Sequence, residues 1–409
     1  MSLIRRMLRW LGWMALACAA TAAVVAGGTA LTAPGRRALP GADERSREWQ
    51  ARPALRELAD RVGLRFGSAV MARDLLGDPQ YGPVLAREFN SLTPFVEMKW
   101  GTLHPEPQRY DFTLADALVD FAAAHRMRVR GHTLVYGHVV DPPNPTYLSE
   151  MTDAATLRAA MADHIRTVAG RYRGRVDAWD VVNEPLPALT MPADANGLSD
   201  NVFTRVLGRG YIAEALRLAR DADPTAQLFI NDFGVLEPGP KQDRYFQLVQ
   251  GLLQAGAPLD AVGFQAHVVP LVGPPTSSEQ VAATLRRFAA LGVRLEITEL
   301  NVFTRTRMNL LTLGLTYDIE QAMQRQAEVY AQVTQACLSV PACQGVTLWT
   351  FTDRYRTTIE RLTHIRDIPL IFDRDYRPKP AAFALHRVLG QTDRRATDDT
   401  LKPPAASWR

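Results

Sequence analysis

The stretch AWDVVNEPL, residues 178–186, opens as an apolar run, then sets an amide (Asn183) and a carboxylate (Glu184) immediately before Pro185. A proline cannot donate to a sheet ladder and biases its predecessor away from helix, so the segment reads as a strand that stops at Glu184 and presents its acid there.

Moving outward, seven further short apolar or β-rich runs occur, near residues 66, 92, 130, 228, 262, 295 and 347. Between them lie amphipathic stretches such as TLADALVDFAAAHR and SSEQVAATLRRFAALG, with apolar residues spaced three and four apart. Strand and helix alternating eight times predict parallel strands joined by helical crossovers, and a closed (β/α)8 TIM barrel as a single catalytic domain is the natural solution. An open doubly wound sheet is the competing arrangement. No G-x-G-x-x-G follows the first strand, and no phosphate-binding loop occurs.

The barrel is expected over residues 53–392 of the 409-residue chain, after a linker at 36–52 and before a polar tail at 393–409. Residues 1–35 carry Arg5, Arg6 and Arg9 ahead of a nearly uncharged run, the pattern of an export signal. That run is long enough for an uncleaved membrane anchor to stand as the alternative. A periplasmic or secreted protein, a monomer, is therefore expected. Export into an oxidising compartment, with Pro341 tightening the loop CLSVPAC, favours a local disulfide between Cys337 and Cys343; two buried free thiols are the other reading. The 47 basic residues nearly balance 43 acidic ones and are scattered, which argues against a nucleic-acid partner.

In a parallel barrel, chemistry gathers where strands end. The residues expected there are His132, Asn183, Glu184, Asn231, Asp232, Gln265, His267, Glu299 and Trp349. Each alone has a plain explanation: a glutamate in a surface ion pair, a satisfied structural histidine, a core tryptophan. Their concentration at one type of position on several strands points to a site. Two carboxylates on different strands, surrounded by amides, imidazoles and an indole, suit hydrolysis of a glycosidic bond. Metal hydrolysis would need ligand spacings such as H-x-x-x-H or H-x-H, and serine hydrolysis a G-x-S-x-G elbow; neither is present.

Six motifs in order, EMKW, RGHTLV, WDVVNEP, GFQAHV, ITELNV and PLIFDRDYRPKPA, resemble the catalytic domain of glycoside hydrolase family 10, the xylanases. The resemblance runs from about Gly67 to Leu389. It implies a retaining endo-acting β-1,4-glycanase on xylan or xylo-oligosaccharides, with Glu184 as acid/base and Glu299 as nucleophile, their carboxyl groups about 5 to 5.5 Å apart. It further implies that Asn183, Lys99 and His132 hold sugar hydroxyls, that Gln265 and His267 position Glu299, and that Trp349 walls the same sugar. No metal or organic cofactor is implied. ACLSVPACQGVTLW resembles a cysteine-bridged segment of bacterial members, which supports the disulfide.

The chain departs from the family pattern around this pair. Phe95 and Val96 stand where a Glu-Asn pair grips a second sugar, Tyr136-Gly137-His138-Val139 replaces a Trp-His-Ser-Gln run, and Phe233 replaces a tyrosine. A second tryptophan expected around DRYRT is absent, and Asn301 replaces an aspartate that pairs with the histidine here at His267. Losing that negative neighbour should reduce the histidine's tendency to protonate and weaken its orientation. Two alternatives follow: the same chemistry on a different or decorated β-glycoside, and a carbohydrate-binding barrel without turnover. Only four of the basic residues are lysines, at 99, 241, 379 and 402, so a lysine at position 99 suggests a need for a compact ammonium.

Overall fold

The computed structural model describes residues 42–137, 144–187, 193, 197–268, 277–304, 318–355 and 367–391. Eight parallel strands close into a barrel: β1 (Arg65–Val70), β2 (Ser91–Pro94), β3 (Arg128–Tyr136), β4 (Ala178–Asn183), β5 (Gln227–Asp232), β6 (Ala261–Phe264), β8 (Arg294–Val302) and β9 (Cys343–Leu348). Pairing β6 to β8 completes the circle, while a two-residue strand, β7 (His267–Val268), adds to β8 at its carboxyl end. These eight are the eight runs read from the sequence.

Helices cover the barrel and begin where their sequences say they should. In Ser277–Ser278–Glu279–Gln280, the Ser277 and Gln280 side chains form a reciprocal capping box that starts helix Ser278–Ala289. TLADALVDFAAAHR forms helix Thr113–Ala124, burying Ala115, Leu118, Val119 and Ala122 at helical spacing. The main core lies between sheet and helices, whereas a separate small cluster of Ala178, Phe229 and Ala261 fills part of the barrel interior. That interior also carries charge. Arg130 Nη1 lies 2.9 Å from Glu296 Oε2 and its Nε 3.1 Å from Asp180 Oδ2, with the guanidinium 4.1 Å above the Phe229 ring. Each buried ion is thus paired, as burial requires.

The segment expected to be a linker is partly structured. Helix Ala42–Gln50 docks Trp49 into the core, where its Nε1 donates to Glu88 Oε1 at 2.8 Å and its ring meets Phe372 and Phe383 edge-on. The packed unit therefore begins before residue 53. The export-signal and tail readings lie outside the described residues. Among the described residues, no helix is long and apolar enough to cross a membrane.

Cys337, on helix Ile319–Ser339, and Cys343, at the start of β9, are disulfide-bonded. The bridge ties the longest described helix to the last strand at the barrel's amino end, remote from the strand-end residues.

Candidate active site

Three strand ends at the barrel's carboxyl mouth hold residues in the left-handed region: Glu184 (φ 51°), Ala266 (φ 60°) and Thr350 (φ 70°). This conformation costs an L-residue energy and persists where surroundings over-determine it, commonly at functional sites. Its effect at Glu184 is specific. Successive strand side chains point to opposite faces, so Asn183 and Glu184 would ordinarily diverge. The left-handed step after Asn183 lets both face one cleft, and Asn183 Nδ2 stands 3.4 Å from Glu184 Oε1.

Amides link the two carboxylates. Gln265 Nε2 donates to Glu184 Oε1 at 3.1 Å and lies 3.4 Å from Asn183 Oδ1. Asn231 Nδ2 donates both to Asn183 Oδ1 at 2.9 Å and to Glu299 Oε1 at 2.8 Å. Thr298 Oγ1 donates to Asn231 Oδ1 at 2.6 Å, fixing which end of the amide faces the glutamate. Asn231 was visible in the sequence only as a strand-end amide; its bridging position emerges from the fold. Gly263 makes room for it, since a Cβ there would lie 2.3 Å from Asn231 Oδ1.

His267 Nε2 lies 3.1 Å from Glu299 Oε2, and its Nδ1 lies 3.1 Å from Asn301 Oδ1. Burial alone would raise the Glu299 carboxyl, but its hydrogen bond with His267 and the nearness of His132 and His267 outweigh this and hold it below the ordinary range. For His267 the signs reverse: burial lowers it, while the hydrogen bond and charge of Glu299, with Asn301 adding, lift it above the ordinary imidazole value. Asn301 thus keeps the ring oriented without an aspartate. Tyr136 donates its hydroxyl to Glu184 Oε2 at 3.0 Å, and burial, then the Glu184 charge, push the phenol far up, so it stays a donor.

The remaining predicted residues complete the wall. His132 Nδ1 lies 2.9 Å from Asp180 Oδ2, an acceptor that places the proton on Nδ1 and leaves Nε2 to a ligand. Its ring meets Trp349 edge-on at 5.3 Å, and Trp349 also faces His267 at 6.2 Å. Lys99 is 9% exposed, with Nζ 5.7 Å from the centre of the Phe95 ring and 5.8 Å from that of Tyr136. Phe95 packs on Trp349 with ring centroids 4.7 Å apart, and the two join Ala69 and Met71 in an apolar cluster flanked by Val96. The mouth therefore has two arcs. From β4 through β5 and β6 to β8 it is built of amides, imidazole and carboxylates, and from β9 through β1 and β2 to β3 of aromatic and aliphatic groups around one ammonium. His138 and Val139 lie outside the described residues.

The lysines deserve comparison with the arginine-rich remainder. Lys241 and Lys379 are buried, each on an aspartate: Lys241 Nζ lies 2.7 Å from Asp232 Oδ1 and Lys379 Nζ 2.8 Å from Asp353 Oδ2. All three lysines among the described residues are thus interior, where a compact ammonium fits and a planar guanidinium would need more partners.

A closed parallel barrel with two glutamates from different strands, amide-linked and faced by aromatic groups, defines a glycoside hydrolase. Residues 54–388 match the sequence profile of Glycosyl hydrolase family 10, and the chain belongs to that family. It is 36% identical over 340 residues to endo-1,4-beta-xylanase 1 of Humicola insolens, covering 82% of this chain and 74% of that protein. It is 34% identical over 338 residues to endo-1,4-beta-xylanase B of Thermotoga neapolitana, covering 82% and 91%. Among solved structures, native xylanase 10B from Thermotoga maritima superposes with a TM-score of 0.73 at 34% identity, covering 82% of this chain and 98% of that one. Xylanase 10B from Thermotoga petrophila RKU-1 in complex with xylobiose does so with 0.73 at 33%, covering 82% and 97%.

Proposed function

We propose that this family 10 enzyme is an exported endo-1,4-β-xylanase that hydrolyses xylan or xylo-oligosaccharides with retention. In this reading Glu299 attacks the anomeric carbon as Glu184 protonates the departing glycosidic oxygen. Water then attacks the glycosyl-enzyme while Glu184 takes its proton, releasing sugar and free Glu299. The observation that carries the reading is the different environment of the two acids. Glu299 is buried, accepts from Asn231 and His267 and is held ionised, as a nucleophile needs, whereas half-buried Glu184 is reached by Tyr136 and Gln265. Lys99, His132, Asn183 and Trp349 are assigned to the sugar held between them. Export is supported by the N-terminal pattern and the disulfide.

The apolar arc favours a second reading, a decorated β-glycoside. Phe95 and Val96 offer a neighbouring sugar no hydrogen bonds, which suits a substituent without free hydroxyls. A product profile on defined plain and substituted β-1,4-linked oligosaccharides, read by proton NMR at early times, tests both. Release of β-anomers from plain xylo-oligosaccharides is expected; α-anomers would exclude retention, and turnover of substituted substrates only would favour the second reading.

A further inference from the structure

We infer that Asp232, braced by Lys241, is a positioning residue that holds the strained turn carrying Glu184; this rests on the acid/base role proposed above. Asp232 ends β5 immediately after Asn231 and is fully buried. Its Oδ2 accepts from the Leu186 backbone N–H at 3.0 Å, and its Oδ1 accepts from Lys241 Nζ at 2.7 Å and from the Phe233 N–H at 2.8 Å. Lys241 Nζ sits 3.3 Å over the Phe233 ring, so the ammonium is enclosed between an anion and an aromatic face.

The turn that these contacts hold is short. Glu184, in the left-handed region, donates its N–H to Asn231 O at 2.8 Å; its carbonyl accepts from Ser199 Oγ at 3.1 Å, and the Pro185 carbonyl accepts from the Ser199 N–H at 2.8 Å. Pro185 has no N–H to offer. Leu186 therefore supplies the first backbone donor after Glu184, and Asp232 is its acceptor. Adjacent residues of β5 grip the turn on both sides of the strained position, Asn231 through its carbonyl before it and Asp232 through its carboxylate after it. Asp232 lies one residue beyond the amide network and makes no hydrogen bond to either glutamate. Releasing Leu186 lets Glu184 relax toward ordinary backbone geometry and swings its carboxyl away from Gln265 and Tyr136.

The test uses the full chain with two double variants and Glu184→Ala in parallel. Asp232→Ala/Lys241→Met removes the acceptor without stranding a buried charge, and Asp232→Asn/Lys241→Met restores a carbonyl acceptor of the same length. Each is assayed on xylotetraose, a poor leaving-group substrate, and for the first-turnover burst on dinitrophenyl β-xylobioside, whose dinitrophenolate leaves without protonation. The Ala/Met variant is expected to lose on the order of 10²-fold on xylotetraose, the scale of misplaced general acid catalysis, and less than about fivefold in the burst; the Asn/Met variant should recover most of it. Equal losses on both substrates, or none, in a folded Ala/Met variant would overturn the inference. If that variant does not fold, Lys241→Met alone, which removes the brace and leaves Asp232 buried without its cation, should show the same leaving-group bias at smaller size, and its absence would overturn the inference. A Glu184→Ala variant without that bias would refute the acid/base role itself. The bias in Glu184→Ala but not in the Asp232 variants would refute only the positioning.

Discussion

His267 Nε2 and Glu299 Oε2 lie 3.1 Å apart in a partly buried contact that moves the two groups' titrations in opposite directions. The raised histidine contributes stability that is complete below its ordinary value and is lost as pH rises through its folded value. The lowered glutamate contributes stability present above its ordinary range and lost as pH falls through its folded value. His267→Gln should therefore destabilise most around pH 5.5 and least near pH 9, a comparison that denaturant titrations at the two pH values provide. Asn301→Asp should lift His267 further by placing a charge at Nδ1, which NMR titration of the imidazole would show as an upward shift. An unmoved titration would mean that position 301 does not act on the ring.

Loss of the two glutamates should differ in how far the damage depends on the leaving group. Glu299→Ala is expected to abolish hydrolysis of every substrate. Glu184→Ala should impair xylo-oligosaccharides by about 10²-fold or more, the range of general acid catalysis, and activated aryl glycosides far less. The ratio of kcat/KM on the two substrates, which reports formation of the glycosyl-enzyme and not its hydrolysis, would show it, and equal loss of kcat/KM under Glu184→Ala would contradict the acid role.

Two glycines should respond oppositely to alanine. At Gly263 a methyl group would meet Asn231 Oδ1 at 2.3 Å and Thr298 Cγ2 at 2.9 Å, so Gly263→Ala must displace the bridging amide. Overpacking of this kind costs about 1–3 kcal/mol, and turnover should fall with it. Gly170, inside helix Ala154–Arg171, has nothing within 4 Å of such a methyl, and Gly170→Ala should stabilise by about 0.5 kcal/mol. Thermal melts and kinetics of the two variants give the comparison.

The disulfide closes a loop with a sequence separation of 6. Chain entropy then gives about 2 kcal/mol of stabilisation. Cys337→Ser/Cys343→Ser should show that loss in denaturant melts while kcat stays near wild type, because the bridge lies at the barrel end away from Glu184 and Glu299. A large loss of kcat in the folded variant would show coupling between the two ends.

Strand order and the two carboxylates were legible because both depend on local pattern. Apolar runs of strand length, helical periodicity between them and Pro185 after Glu184 are short-range features, and a parallel barrel turns strand ends into a site. Other features depended on partners distant in sequence. Asn231 reads as one amide among several until Gly263 and Thr298 aim it at Glu299. Trp49 lies in a charged stretch that reads as linker until Glu88, Phe372 and Phe383 receive its ring. Lys241 becomes interior only because Asp232 waits for it at the end of β5. The pairing of Asn183 with Glu184 in one cleft contradicts strand alternation and rests on a left-handed backbone that local propensity disfavours. Composition and periodicity determined the barrel and its acids; contacts from other strands decided the direction, charge and neighbours of each side chain, since only they supply the energy to hold strained and buried polar groups.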